Sequence, residues 1–437
     1  MNTALRRFGG SVVVATVLAA GTLQAQDAGT LVIRGAKVFT LAGPPIENGT
    51  VVIRNGKIEA VGTNVNVPAG ARVIEASGQH VYPGLFDAVT PLGLTEIGAV
   101  DVTNDRQELG LFNPHLLAAT AVHPASEHLP VARANGITHT VATPQARPGG
   151  IGGQGSLINL DGWTVEEMLI QPSVGFVLSW PTLQARGFGF GGFGAPPRPF
   201  REIKKEYDDR VKQLDDWMEA ARRYQRAVQA GNGVPRDLKL EALTKVTRRE
   251  LPLLVQANSD RDIRSAMAWA EKQNVRIVIL GAGQAWKVKE ELAQKQIPVI
   301  VGPTQDLPDA EDGAYDEKYA QPAALHQAGV KFALSTFNSS DSRTLPYEVG
   351  NAVPYGLPQE EAIKAITLYP AQILGVADKL GTVEPGKIAN LIVTDGDPLM
   401  IQTTYKHVII NGNEVSLDNR HLELYEKYRG RPRPAGR

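Results

Sequence analysis

Two aspartates are the strongest candidates for chemistry in this sequence. Asp87 follows the apolar run Val81–Phe86, and Asp341 follows a pair of serines. A carboxylate held beside a water molecule can act as a general base, so either aspartate could activate water for hydrolysis. For Asp87 the alternative is a structural carboxylate that accepts backbone hydrogen bonds at the end of a strand. Four neutral polar residues are candidates for substrate binding: Thr90, Gln256, Asn258 and Asn338.

One cluster of side chains has the residue types of a metal site. His123 and His128 flank Glu127 in a short segment, and imidazole and carboxylate groups both bind zinc. Their spacing does not place both imidazoles on one helical face, where neighbours are three or four residues apart. Pro124 also favours a loop. We therefore expect surface or loop histidines, with a relocated metal site as the alternative.

Several common chemistries are excluded by what the sequence lacks. The chain has no cysteine, which excludes disulfides, thiolate metal sites and a cysteine nucleophile. The glycine-rich segment 149–155 has neither a P-loop ending nor dinucleotide-binding spacing, so we predict a flexible βα loop there. The net charge of −1 gives no reason to expect nucleic acid as a partner. The basic residues near the end belong to a predicted tail, 419–437.

Strands are predicted at both ends of the chain. Asn55-Gly56 and Asn411-Gly412 each separate two apolar-rich runs, and this pair favours a tight hairpin because both turn residues accept a positive φ. Both ends thus share a pattern of short apolar runs joined by tight turns. This shared pattern predicts one small β domain built from residues 29–80 and 385–418.

The middle of the chain alternates short apolar strands with longer amphipathic helices. Leu253–Val255 is predicted to be a buried strand, and a helix is predicted over Asp260–Gln273, with Ser259 as its N-cap. Repetition of this pattern predicts βαβ units and an α/β fold, a closed (β/α)₈ TIM-type barrel over residues 81–384. A doubly wound open sheet is the alternative.

Two insertions interrupt the predicted barrel. Residues 187–200 are rich in glycine and phenylalanine and could form a mobile lid over the barrel mouth or an exposed loop. Residues 201–229 form a long, charged helical stretch. Its spacing predicts that Leu214, Trp217 and Met218 pack inward, together with Ala221, while the charges face solvent.

The amino terminus has the pattern of a secretory signal peptide. Arg6 and Arg7 precede the apolar stretch Ser11–Leu23, and Ala25 offers a small residue for cleavage. We therefore predict a signal peptide over residues 1–25 and a periplasmic or secreted protein that is not membrane-bound after cleavage. An uncleaved anchor is the alternative.

Four segments resemble the amidohydrolase superfamily, and most closely its imidazolonepropionase-like branch. Segments 55–62 (Asn-Gly-Lys-Ile-Glu-Ala-Val-Gly) and 81–88 (Val-Tyr-Pro-Gly-Leu-Phe-Asp-Ala) resemble the start of that family's barrel. Segments 368–371 (Leu-Tyr-Pro-Ala) and 381–391 (Gly-Thr-Val-Glu-Pro-Gly-Lys-Ile-Ala-Asn-Leu) resemble the return to its β-sandwich. The resemblance implies a barrel flanked by a β-sandwich made from both termini. Asn390 departs from the pattern, since the family usually has aspartate there.

The metal ligands that the resemblance implies are missing from this sequence. The family usually carries His-x-His after the first barrel strand, where Val89 and Pro91 stand here. Gln256 replaces a histidine after the fifth strand, and Gly281 one after the sixth. The family usually has an aspartate after the eighth strand, and the corresponding position in this sequence is Phe337 or the residue next to it. Catalytic zinc needs about three strong donors. We therefore predict no cofactor, although the resemblance implies a divalent metal such as zinc.

Two functions remain open. The resemblance implies a hydrolase that cleaves a C–N bond in a small amide, cyclic amide or peptide-like substrate, here by an altered route. The alternative is a catalytically inactive relative that binds an amide-like ligand or serves as the partner subunit of an active homologue. Either function would use the carboxyl ends of the strands, where barrel sites lie. A homo-oligomer, or a hetero-oligomer with a related amidohydrolase, is a further expectation.

Overall fold

The computed structural model describes residues 29–183, 199–231, 233–308 and 313–431. The predicted signal peptide, most of the glycine- and phenylalanine-rich loop and the last six residues of the tail lie outside these described residues. Within the described ranges, no helix combines the length and the apolar character needed to cross a bilayer.

Strands dominate both ends of the described chain, and helices are concentrated in the middle. The strands are β1 Thr30–Val38, β2 Ile46–Arg54, β3 Lys57–Gly62, β4 Arg72–Glu75, β5 His80–Pro83, β6 Leu85–Thr90, β7 Ile137–Ala142, β8 Ile151–Asn159, β9 Leu169–Ser179, β10 Leu253–Ala257, β11 Ile277–Gly281, β12 Val299–Val301, β13 Phe332–Leu334, β14 Leu391–Thr394, β15 Tyr405–Ile410 and β16 Asn413–Val415. The α-helices are α1 His128–Arg133, α2 Val165–Met168, α3 Phe200–Gln229, α4 Leu238–Thr247, α5 Asp260–Gln273, α6 Lys289–Gln294, α7 Glu317–Gln327, α8 Leu345–Gly350, α9 Gln359–Lys364, α10 Leu368–Ile373 and α11 Arg420–Arg429.

Both ends of the chain contribute to one terminal sheet of eight strands. Its order is β16-β15-β14-β5-β1-β2-β3, with β4 beside β1. Ile58 and Ile409 come from distant strands of this sheet and belong to the same apolar cluster, so the sheet curls around its own core. Asn55, Gly56, Asn411 and Gly412 all have positive φ angles, from 49° to 80°. The two predicted hairpin turns are therefore confirmed.

The middle of the chain forms a second sheet of eight strands that nearly closes into a barrel. The strands lie in sequence order from β6 to β13, and β13 packs beside β6. A doubly wound sheet would instead reverse its strand order at a switch point. The predicted barrel is confirmed, and the doubly wound alternative is wrong.

One barrel strand departs from the expected parallel arrangement. Strand β8 runs antiparallel to both β7 and β9, whereas the remaining ladder pairs of this sheet are parallel. A parallel crossover needs a dozen or more residues, and β7 is separated from β8 by residues 143–150 alone. The short connection therefore forces the chain to turn straight back.

The prediction of a flexible loop at residues 149–155 is wrong, because β8 begins at Ile151. The glycines of this segment allow the strand to lie close to neighbouring backbone. A Cβ atom on Gly152 would lie 2.4 Å from the carbonyl oxygen of Gln145, closer than such atoms approach in real structures. The glycine-rich composition thus reflects packing within the barrel wall.

Apolar side chains fill the interior of the barrel. Successive side chains along a strand point to opposite faces of its sheet, so every second side chain points into the barrel. The interior is therefore a packed core, and a ligand must bind at one end of the barrel. The buried members of this core include Val141, Leu157, Val177, Leu254, Val278, Leu280, Ile300 and Ala333.

Helix α5 has its predicted bounds and cap, and α3 begins one residue before its predicted start and has its predicted inward face. The Ser259 hydroxyl accepts a hydrogen bond at 3.1 Å from the backbone N–H of Asp262, as an N-cap does. Leu214 and Met218 are fully buried, as is Ala221, and Trp217 stacks on another ring within the core. The charged insertion is thus an amphipathic helix that covers the barrel.

The terminal sheet packs against the amino ends of the barrel strands. Strand β5 runs into β6 through Gly84, whose N–H donates to the Asn390 carbonyl at 2.8 Å. The Tyr405 ring lies over Gly136, the residue before β7, where any added Cβ would be 2.4 Å from a ring carbon. This arrangement leaves the carboxyl ends of the parallel strands away from the sheet.

Candidate functional site

The residues predicted to bind substrate occupy the carboxyl end of the barrel but differ in exposure. Asn258 and Asn338 are exposed, and Gln256 is partly exposed. The side chain of Asp341 is 53% exposed, and its nearest described cation is Arg343, at 3.9 Å. These four predicted residues are open to solvent and lie on the rim of the barrel.

Thr90 is buried, and its hydrogen-bonding capacity is used within the protein. Its hydroxyl lies 2.7 Å from the Thr140 hydroxyl, which donates to the Asp87 carbonyl at 2.7 Å. The Thr90 hydroxyl also accepts a hydrogen bond from the backbone N–H of Leu92 at 3.2 Å. In this arrangement Thr90 holds β6 and β7 together instead of facing the rim, so its predicted role in substrate binding is unsupported by the geometry.

Asp87 is fully buried at the seam between β6 and β13. Its carboxylate accepts from the Thr336 backbone N–H at 3.0 Å, the Thr336 hydroxyl at 2.6 Å and the Ser342 hydroxyl at 2.9 Å. The Ser335 hydroxyl makes a further, very short hydrogen bond to it. Burial raises the pKa of Asp87 to about 6, although these donors lower it. This environment fits the structural alternative, because Asp87 closes the barrel and does not face solvent.

The same contacts fix the loop that carries the rim residues. Ser335 and Thr336 precede this loop and Ser342 follows it, so Asp87 holds both ends. Inside the loop, the Asn338 side chain accepts the backbone N–H of residue 340 at 2.8 Å. Asn338 and Asp341 are therefore presented by a segment whose two ends share one buried anchor.

Glu348 is a buried carboxyl that the sequence reasoning missed. It is 3% exposed on α8, and its carboxylate accepts from the Thr304 N–H at 3.1 Å and the Thr344 hydroxyl at 3.0 Å. Burial raises the pKa of Glu348 to about 7, and the negative charges of Asp87 and Asp341 raise it further. Nothing in the sequence around Glu348 indicated this role, because its proximity to Asp87 arises only from tertiary packing.

The positions implied as metal ligands are occupied by residues that do not fit a metal. Val89 is 3% exposed and belongs to the apolar interior, and Phe337 packs against the same core. Gly281 has no side chain, and the Asn258 amide oxygen would lie 2.3 Å from any Cβ there. Pro91 also offers no donor. Zinc needs about three strong donors, so these residues cannot supply its usual site.

The alternative of a relocated metal site also finds no support in the described residues. His128 Nε2 lies 2.8 Å from the carbonyl oxygen of Glu96. The backbone N–H of Glu127 donates to the Glu96 carboxylate at 3.3 Å. Across the described ranges, no group of three or more histidine, aspartate or glutamate side chains converges as metal ligands would.

The two buried carboxyls predict how stability depends on pH. Folding raises the pKa of Asp87 from 3.8 to about 6 and that of Glu348 from 4.5 to about 7. Each group therefore contributes most below its unfolded pKa, and that contribution is lost as the pH rises through the folded pKa. We expect Glu348→Gln to gain stability relative to the parent protein by up to about 3 kcal/mol between pH 4.5 and 7.5. Urea unfolding across this range would measure it, and a difference independent of pH would contradict it.

Comparison with known proteins agrees with this architecture. The family model described as "Amidohydrolase family" matches residues 275–416. Amidohydrolase tasK of Hapsidospora irregularis is 23% identical over 413 residues, which cover 83% of this chain and 39% of that protein. N-acetylglucosamine-6-phosphate deacetylase of Haemophilus influenzae is 43% identical over 72 residues, or 16% of this chain and 18% of that protein. The chain thus spans about two fifths or less of the length of these curated relatives.

A solved structure matches most of the chain. The amidohydrolase from Thermotoga maritima MSB8 superimposes with a TM-score of 0.76 at 27% identity, over 88% of this chain and 99% of that one. The match of the barrel and terminal sheet to this structure and the match to the family model both indicate the amidohydrolase class. The chain is thus similar to amidohydrolases in sequence over residues 275–416 and in fold over most of its length. Its placement in the imidazolonepropionase-like branch stays a prediction.

Proposed function

We propose that this protein hydrolyses a C–N bond in a small amide, cyclic amide or peptide-like substrate bound at the rim of the barrel. The observation that carries the proposal is the anchored loop that presents Asn338 and Asp341 at the carboxyl end of the barrel, the end that also carries Asn258, in an amidohydrolase fold. Asparagine amides both donate and accept hydrogen bonds, so they complement the N–H and C=O groups of an amide.

The proposed chemistry uses this chain's own residues. The exposed carboxylate of Asp341 accepts a proton from a water molecule as the water attacks the substrate carbonyl carbon. The resulting carboxylic acid then gives that proton to the leaving nitrogen as the C–N bond breaks. Asn258 and Asn338 orient the amide. Asp87 is a positioning residue, because it fixes the loop without touching substrate. The reaction would take place outside the cytoplasm, as the amino-terminal pattern predicts, in a homo-oligomer or in a complex with a related amidohydrolase.

A second candidate function is a non-catalytic relative that binds an amide-like ligand or acts as a partner subunit. It is favoured by the apolar packing at the implied ligand positions, where Val89 and Phe337 join the barrel core. A fold can be retained for its shape after its chemistry has changed. Saturable binding of an amide at the rim without turnover would distinguish this function from the first.

The test is turnover of a panel of amides, cyclic amides and dipeptides by the full chain. Asp341→Asn keeps the size of the side chain but removes the base, so we expect kcat to fall at least tenfold, as the loss of general-base catalysis predicts. Asp209→Asn on the exposed face of α3 serves as the control and should retain full turnover. Turnover that is equal in Asp341→Asn and the parent protein would remove Asp341 from the mechanism.

A further inference from the structure

A second cleft lies at the opposite end of the barrel from the rim. It has a volume of about 400 Å³ and opens between the terminal sheet and the amino ends of the barrel strands. Small-molecule sites commonly fall in the range of about 300–1,000 Å³ and often lie where two structural units meet. The polar residues that line it are Lys57, Asn159, Glu167, Asp378, Lys379 and Asn411.

The charges in this cleft are not paired with one another. Lys57 and Lys379 form no ion pair with any carboxylate of the described residues, and the Lys379 ammonium donates to the Gln171 side chain at 2.7 Å. Within the same part of the chain, Glu167 and Asp378 have no cationic partner. Two positive and two negative groups therefore line one space and remain available to a ligand that carries both charges.

A buried amide with an unused donor lines the cleft. Asn390 accepts the Asn411 backbone N–H at 2.8 Å through its side-chain oxygen, so its Nδ2 must be the donor to Asn159 Oδ1, also at 2.8 Å. This chain of bonds fixes the orientation of the Asn159 amide. Asn159 is 4% exposed and lines the cleft, and its Nδ2 has no acceptor among the described residues. The donor is thus held ready for an oxygen of a ligand.

We propose that this cleft binds a small zwitterion of amino-acid or dipeptide size. The ligand carboxylate would meet Lys57, Lys379 and the Asn159 amide, and its ammonium would meet Glu167 and Asp378. Apolar side chains of the cleft, which include Leu169, Ile170 and Ile388, would contact the ligand side chain. This site is separate from the rim, so it stands whether or not the proposed hydrolysis occurs there.

Isothermal titration of the full chain with leucine and with glycyl-leucine tests the proposal. We expect saturable binding of at least one of them, and at least tenfold weaker binding of N-acetyl-leucine and leucinamide, since each lacks one charge. Lys57→Gln, Lys379→Gln and Glu167→Gln should each weaken binding severalfold. Lys205→Gln on α3 is the control and should leave the affinity unchanged.

Two outcomes would overturn the proposal. The first is the absence of saturable binding of either zwitterion at millimolar concentrations. The second is an affinity that Lys57→Gln and Lys379→Gln leave unchanged, because the ligand would then occupy another site such as the rim. The lysine substitutions alter exposed or partly exposed side chains, so the variants should fold and report on binding alone.

Discussion

Replacing Asp87 with alanine is expected to lower the free energy of unfolding by at least about 3 kcal/mol near pH 6. The substitution leaves the donors of Ser335, Thr336 and Ser342 buried without an acceptor, and each such group costs roughly 1–3 kcal/mol. It also removes the side chain that bridges β6 and β13. Urea unfolding followed by circular dichroism would measure the loss.

Asp341→Ala is the matched control for this prediction. Asp341 is an aspartate in the loop that Asp87 anchors, but its side chain is 53% exposed, so its removal should change stability by no more than about 0.5 kcal/mol. If Asp87→Ala were as stable as Asp341→Ala, the anchoring role of Asp87 would be wrong. The loss should also be smaller at pH 8, where the buried charge of Asp87 is itself unfavourable.

Replacing Asn390 with aspartate, the residue usual in the family, is expected to destabilise this protein by about 3 kcal/mol at pH 8. Asn390 is buried, and its amide donates to Asn159 Oδ1 at 2.8 Å. The same nitrogen lies 3.4 Å from the Nδ1 atom of His139, a ring whose pKa burial lowers to about 3. An ionised carboxylate there would face acceptors and a neutral ring.

The pH dependence makes this prediction specific. A carboxyl buried in this way should have a raised pKa, so the destabilisation by Asn390→Asp should shrink as the pH falls and the group becomes protonated. Asn413→Asp, on an exposed strand position of the same sheet, should cost little at any pH. Equal stability of both variants at pH 8 would show that the introduced carboxylate is accommodated, for instance through protonation of His139.

Local rules made much of the fold predictable from the sequence. The Asn-Gly turns follow from a requirement for positive φ at two adjacent residues, and the start of α5 follows from the Ser259 cap. The inward face of α3 follows from helical periodicity. Strand β8 was missed because a glycine-rich segment is typical of a loop. Here the glycines are required by close packing against Gln145 and other neighbouring residues.

The candidate site was predictable only in part. Residue types and family spacing marked Asp87, Asn338 and Asp341, but burial alone distinguishes the first as an anchor from the others as rim residues. Glu348 carries no sequence signal, since its neighbours Thr304 and Thr344 are brought to it by packing. The role of a carboxyl in this barrel therefore depends on its environment, which sequence spacing does not specify.

The most direct test of this account is the zinc content of the purified full chain after dialysis against zinc and then against metal-free buffer. The side chains at the implied ligand positions, Val89, Pro91, Gly281 and Phe337, predict fewer than about 0.1 equivalents per chain. About one equivalent or more of retained zinc would contradict the account, because a metal site would then exist that these positions do not supply.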